Sequence, residues 1–566
     1  MKLSDFLVKE LYKNGIEKVF GYIGGMVAHI VDSIYQNSDI EMINTINEQG
    51  AGFAADGYAR VCNKPAVAIA TSGPGATNLI TPIADCFFDS VPVLFITGQV
   101  NTYEYRKYNI KQCGFQETDI ISMVKPITKY AKIITNPNDI KYEIQKALHI
   151  ANSGRKGPVL LDIPMDIQRT EIDEINLKEF KLPPKTNSEI NIDFFDIISK
   201  SKRPLILAGN GVHLSGASEK LAELLKNTNI PVVESLHGID TVLKDYTYNI
   251  GFIGTYGNRA GNLALYACDL LIVLGSRLDI RQTGAKTEFM DNKTIIHVDI
   301  DKNELDCDKF KKIKIQSDIS VFLDKLVNNI KLSDISDWQK KCIELKNKFN
   351  NESKTFKLPT KILSDIFEIL PSQTVITADV GQNQMWAAQA ANIKSGQNFI
   401  SSGGLGAMGF SLPAAIGACI RGRHVVAVTG DGGLQMNIQE LEILKRRNLP
   451  VKIVVMNNKN LGMVRTFQEL YFENRTASTV YDYSAPDFAK VAQSYGIKSK
   501  TIKAEDFDMK NVQQDLLSDE PFLLNIEFEL RTQVEPRVEF GNTIANASPL
   551  LDKIEIKKSI GDYFNV

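Results

Sequence analysis

Short, continuous runs of Val, Ile and Leu alternate with stretches of helical period along most of the chain. KPAVAIAT (64–71), VPVLFITG (91–98) and GPVLLDIP (157–164) show no polar alternation. A strand that is apolar at nearly every position is covered on both faces, as in a parallel sheet between two helix layers. The opening MKLSDFLVKELYKNG has the spacing of an amphipathic helix. The pattern lapses over 170–195, where Pro183 and Pro184 predict a linker. It resumes in RPLILAG (203–209), IPVVES (230–235), DLLIVLG (269–275) and TIIHVDID (294–301). The polar stretch 333–357, with DWQKKCIELKNKF, predicts a helix and a second linker. A third set follows: TVITAD (374–379), HVVAVTG (424–430), VKIVVMNN (451–458) and PFLLNIEF (521–528). The expected fold is α/β, with three doubly wound parallel-sheet domains over 1–175, 190–335 and 356–536. Residues 537–566 show no core pattern and read as a tail.

Composition narrows the function classes. A length of 566 residues suits about three or four domains. The 65 basic and 67 acidic residues leave a formal charge of −2, which offers no field to attract nucleic acid or an anionic membrane. No apolar run reaches the roughly 18 residues of a spanning helix, and the N-terminus lacks a signal-peptide pattern. Seven widely spaced cysteines predict reduced thiols and neither disulfides nor a zinc site, so a cytoplasmic location is expected.

The chemistry concentrates in HVVAVTGDGGLQMNIQELEILKRRNLPVKIVVMNNKNLGM (424–463). This reads strand, Gly430-Asp431-Gly432-Gly433, helix, strand, Asn457-Asn458, and then Gly462. A crossover of this length joins parallel strands, and ligands of such sheets bind outside the strands' carboxyl ends. Asp431 and Asn458 both fall at such ends. A carboxylate, an amide oxygen and the backbone carbonyl of Asn460 suit a hard cation that retains phosphate ligands, namely Mg²⁺. Glycines and a helix N-terminus suit the diphosphate itself. Gly-Asp-Gly alone is more often just a turn, and the Asn pair on the next strand is what favours a site.

This segment is similar to the diphosphate and Mg²⁺ motif of thiamine-diphosphate enzymes. INEQGAGFAADGYARV (46–61) and PAVAIATSGPGATNLITPIADCFFDSVPVLFITGQV (65–100) resemble the pyrimidine-binding domain of the acetolactate (acetohydroxyacid) synthase-like family. The likeness runs over about residues 1–540. It implies that Glu48 hydrogen-bonds the cofactor's pyrimidine and so promotes loss of the thiazolium proton. It places Phe115 and Gln116 of CGFQETD (113–119) in the substrate pocket. It places Gly381, Gln382 and Asn383 of ADVGQNQMW (378–386) at the diphosphate, with Gly406, Gly462 and Met463 as further cofactor contacts. Met408 would be the wedge between the cofactor rings. It implies a site shared between the first domain of one subunit and the third of another, hence a homodimer or homotetramer. FAD is implied in the central domain, where LILAGNGVHLSG (205–216) reads as either a dinucleotide turn or an ordinary one.

Departures from the family fall on acceptor selection. Arg281 in RLDIRQTG (277–284) stands on the arginine that binds the acceptor carboxylate, but its neighbour is Ile280 where the family has Asp. Phe467 replaces a selective tryptophan, Met165 a lysine, Asn383 a histidine, and Arg537 an apolar residue. The expected activity is decarboxylation of a 2-keto acid, pyruvate, with transfer of the two-carbon unit to an acceptor carbonyl. That acceptor is a second keto acid or a ketone or keto-sugar. A non-ligating decarboxylase, a hydrolase of cyclic diketones and a non-catalytic cofactor-binding protein are the alternatives.

Overall fold

The computed structural model describes residues 1–561 except 38, 107–109, 185–189, 191–193, 244 and 357, and at 350–356 the backbone alone. The first sheet comprises β1 (Lys18–Gly21), β2 (Glu41–Asn44), β3 (Ala66–Ala70), β4 (Val93–Gln99), β5 (Tyr130–Ile133) and β6 (Val159–Pro164). The second comprises β7 (Pro204–Ala208), β8 (Val232–Glu234), β9 (Asn249–Phe252), β10 (Leu270–Leu274), β11 (Thr294–Asp299) and β12 (Ile313–Gln316). The third comprises β13 (Val375–Ala378), β14 (Asn398–Ser401), β15 (Val425–Gly430), β16 (Val451–Asn457), β17 (Lys498–Lys503) and β18 (Phe522–Glu527). All pairings within these sheets are parallel. The expected α/β architecture is therefore what forms.

The outer sheets share one topology. Their orders, β2-β1-β3-β4-β6-β5 and β14-β13-β15-β16-β18-β17, correspond strand for strand. The central sheet runs β12-β11-β10-β7-β8-β9, the Rossmann order. In each sheet the strand order reverses near the middle, between β1 and β3, β7 and β10, and β13 and β15, and in the outer sheets the last two strands also swap places at the edge. A crevice opens at each reversal, because the flanking helices turn to opposite faces there. The three candidate sites below lie at these three places.

The first and third domains share one core. Helix Glu48–Cys62 lies against helix Ser411–Ile420, and a Cβ at Gly57 or Gly417 would collide with the backbone of the facing helix. Phe53 and Phe410 stack edge-on at 5.4 Å beside that contact. Small residues let two backbones approach closely, which fixes where Glu48, at the head of one helix, stands relative to the third domain.

The polar stretch after the central sheet is one helix, Ser336–Phe356. Its Trp338, Cys342, Leu345 and Phe349 are buried in the central core, and Trp338 donates to Pro204 O at 2.9 Å. The tail reading is corrected. Ile544, Ala545, Ile556 and Ile560 are buried in that same core, and the Arg259 guanidinium donates to Ala547 O (3.0 Å) and Pro549 O (2.8 Å). Ile556 and Ile560 lie one turn apart on the short helix Lys553–Ile560, whereas Ile544 and Ala545 fall in irregular chain whose burial only the docking surface explains. The first predicted linker lies partly outside the described residues. All seven cysteines are free thiols. Among the described residues no helix is long and apolar enough to cross a membrane.

Candidate active site

Two half-sites form at the reversals of the outer sheets. In the third domain, helix Gln382–Ala390 starts beyond β13 and helix Asp431–Met436 beyond β15. Gly381 has φ 142°, a conformation that admits glycine far more readily than other residues, and it turns the chain into the first helix. Gln382 Oε1 accepts from Asn458 Nδ2 at 2.8 Å, and Asn383 Nδ2 donates to Asp379 O at 2.7 Å. Gly462 follows in the same cluster: a Cβ there would strike Gln382 Oε1. Gly430 faces Asn383 Oδ1. The structure thus brings Gly381, Gln382, Asn383, Gly430, Asp431, Asn458 and Gly462 together.

Asp431 is buried, 2% exposed, and burial pushes its carboxyl up to about 6. Tyr483 Oη donates to its Oδ2 at 2.9 Å, and the backbone N–H groups of Gly432 and Asn460 also face it. Asn460 spends its amide nitrogen on Asn458 O and Leu530 O (2.9 Å), while its buried Oδ1 has no hydrogen-bond partner among the described residues. A buried carboxylate beside an unpartnered oxygen is an arrangement a divalent cation would compensate.

Met408 reaches this group from the loop after β14. A Cβ on Gly432 would lie 3.1 Å from Met408 Cε and 2.7 Å from Leu461 Cδ2. The loop is held at both ends. Ser402 Oγ accepts from Gly406 N (3.1 Å) and Ala407 N (2.9 Å) and bonds Asp85 of the first domain. Asp379 accepts from Gly409 N (2.9 Å) and Ser411 N (3.1 Å) at the other end. Gly433 packs against this Asp379. Gly406 sits at φ 75°, as the loop's turn requires.

In the first domain, Glu48 opens helix Glu48–Cys62 and is 8% exposed. Asn47 caps the helix by accepting from Gln49 N at 2.8 Å. Asn78 Nδ2 donates to Glu48 Oε2 at 2.9 Å, and Glu48 Oε1 faces the turn at Gly75. Gln116, at φ 64°, folds onto Gly73 of that same turn. Glu48 and Gln116 therefore meet at one loop. Phe115, beside Gln116 in the chain, is 80% exposed. Among the described residues no hydrogen bond joins Glu48 to the Asp431 cluster of the same chain.

Arg281 and Phe467 stand on separate elements. Arg281 lies in the short helix Ile280–Thr283 and donates to Gly403 O at 3.3 Å. Phe467 lies on helix Gly462–Tyr471, half exposed, its ring 4.8 Å from that of Tyr471. Met463 on the same helix packs into the third domain's core. The third crevice, at the β7/β10 reversal, is a partly open cleft lined by Gly211, Ser215, Gly275, Tyr256, Asp299 and Arg281.

Comparison with known proteins agrees domain by domain. Residues 1–123 match the thiamine pyrophosphate enzyme N-terminal TPP binding domain, 193–326 the central domain, and 379–526 the C-terminal TPP binding domain. The chain is 38% identical to a probable acetolactate synthase large subunit of Methanocaldococcus jannaschii, covering 99% of this chain and 97% of that protein. It is 36% identical to the acetolactate synthase isozyme 2 large subunit of Escherichia coli K12, over 98% of this chain and 100% of that one. Against the acetolactate synthase large subunit of Lactococcus lactis the identity is 37%, over 95% and 94%. The chain belongs to the acetolactate synthase large-subunit family of thiamine pyrophosphate enzymes. Three residues of this family member escaped the sequence reading: Asn78, Asp379 and Tyr483. Asp379 stands in the same motif as Gly381, two residues before it. Asn78 and Tyr483 carry no local signal, since each earns its place only by meeting a carboxylate distant in the chain.

Proposed function

We propose that this chain is a thiamine diphosphate- and Mg²⁺-dependent carboligase that decarboxylates pyruvate and joins the two-carbon unit to a second 2-keto acid, giving acetolactate. The observation that carries this reading is the pairing of two half-sites. One is a buried acid–amide cluster at the third sheet's reversal, and the other a buried glutamate at the head of a helix by the first sheet's reversal. Bound thiamine diphosphate supplies an electron sink for the bond to the departing CO₂. Asp431, the Asn458 side-chain oxygen and the Asn460 carbonyl hold the metal. The backbone at Gly381, Gln382 and Asn383 and at Gly430, Gly432 and Gly433 approaches the diphosphate, where two helix N-termini favour negative charge. Glu48, steadied by Asn78, holds and returns a proton at the pyrimidine nitrogen. Met408 sets the ring arrangement, with Gly406, Gly462 and Met463 shaping its surroundings. Phe115 and Gln116 bound the donor side, Arg281 receives the acceptor's carboxylate through its guanidinium fork, and Phe467 forms the acceptor wall.

A site shared between the first domain of one copy and the third of another, as the family resemblance implies, makes a homodimer the smallest active unit of this reading. The central cleft supports FAD: it opens at the reversal of a sheet with the Rossmann strand order, where Gly211 and Gly275 face one another. Purified, metal- and cofactor-free protein tests the reading. Acetolactate should form from pyruvate only when thiamine diphosphate and Mg²⁺ are restored together. Product formation without either cofactor would refute it.

A further inference from the structure

Glu440 is fully buried and belongs to the third domain, yet its carboxylate is spent on the first. Ile46 N lies 3.2 Å from both of its oxygens, and Asn47 N donates to Oε1 at 3.1 Å. These are the two residues immediately before Glu48. A Cβ at Gly50 would collide with Glu440 Oε1, so the first turn of the Glu48 helix is moulded around this carboxyl. Neighbouring contacts hold the same stretch. Arg446 Nη2 donates to Asn44 O at 2.6 Å, Arg447 pairs with Glu41, and Thr45 Oγ1 donates to Asn47 O at 3.0 Å.

We propose that Glu440 is a positioning residue for Glu48: by accepting the N–H groups of Ile46 and Asn47 it fixes the helix head and thereby the placement of the Glu48 carboxyl. This inference rests on the reading of Glu48 as the proton-handling carboxyl. Both oxygens of Glu440 are engaged, so an amide in its place would set one N–H group against another. Burial pushes this carboxyl up to about 7 against the pull of those two N–H donors and, less, of the Arg446 charge. A displacement of about 1 Å in a reacting group can cost on the order of 10²-fold in rate.

The test combines Glu440→Gln and Glu440→Ala, each alone and on a Glu48→Gln background, in the full-length, cofactor-loaded protein. Alone, each Glu440 substitution should slow exchange of the thiazolium proton and kcat by about 10²-fold, with KM and cofactor affinity within about threefold. On the Glu48→Gln background it should add less than about threefold, because a residue acting only through Glu48 has nothing left to act on. Amide exchange of residues 44–50 in the cofactor-free chain should quicken in Glu440→Ala, a readout independent of turnover. Equal losses in both backgrounds, or unchanged amide exchange, would overturn the proposal. A Glu48→Gln variant with undiminished proton exchange would instead overturn the assignment of Glu48, a separate failure. Should Glu440→Ala not fold, the isosteric Glu440→Gln cycle decides alone.

Discussion

Tyr483 donates its phenolic hydrogen to Asp431 Oδ2 at 2.9 Å, from a loop 52 residues further along the chain. The bond aims a carboxylate that burial would otherwise drive toward its neutral form. Tyr483→Phe should therefore weaken Mg²⁺ binding to the thiamine diphosphate-saturated protein by about 10–100-fold, the usual cost of losing an outer partner of a metal ligand. Metal titration at fixed cofactor checks this, and an unchanged affinity would show that the tyrosine does not orient the ligand.

Glu48→Gln should keep the fold and the cofactor and lower kcat by about 10²–10⁴, the range of general acid–base assistance. Steady-state kinetics with cofactor binding measured in parallel checks it. A loss below threefold would mean that another group handles the proton.

Asp379 gives a pH signature. Burial pushes its carboxyl up to about 6, against which the N–H groups of Val380, Gly409 and Ser411 pull only part of the way. With its folded value raised, the folded chain holds this proton more tightly than the unfolded chain. Its contribution to stability is therefore complete below about pH 4 and is lost as pH rises through about 6, at up to about 1.4 kcal/mol per pH unit. Asp379→Asn lacks this dependence. Its stability deficit relative to the parent should accordingly be larger at pH 5 than at pH 7, as read from denaturant unfolding of cofactor-free protein.

At the central reversal, a Cβ on Gly211 would lie 2.6 Å from Gly275 Cα. Gly211→Val should force the β7 and β10 ends apart and deform the cleft. We expect gently purified parent protein to carry the absorption bands of FAD, and the variant to lose them while still binding thiamine diphosphate with Mg²⁺. A colourless, active parent preparation would remove FAD from the reading.

Phe467, the proposed acceptor wall, has a half-exposed ring. Apolar walls distinguish one methylene by only about 1–3 kcal/mol, so this site should show little preference for 2-ketobutyrate over pyruvate as acceptor. Competition between the two keto acids in one reaction, with product ratios read by mass spectrometry, checks this. The same assay with non-acidic ketones reports how far Arg281 insists on a carboxylate.

The sequence by itself determined the α/β class, eleven of the strands and the third domain's motif, because buried parallel strands and a Gly-Asp-Gly turn are local patterns. It missed β1, β2, β5, β9, β12, β14 and β17, each short or partly polar, whose pairing comes from neighbours already in the sheet. Asp431 and Asn458 were legible because one crossover joins them. The bond of Tyr483 to Asp431, the mooring of Glu48 by Asn78, and the grip of Glu440 on Ile46 and Asn47 were not. Nor was the burial of Ile544, Ile556 and Ile560 against the central sheet. Periodicity records only which face of its own element a residue occupies. Which distant donor meets a carboxylate, and which surface covers an irregular apolar segment, is decided when the domains pack, since a buried polar group must find its partner wherever the fold brings one.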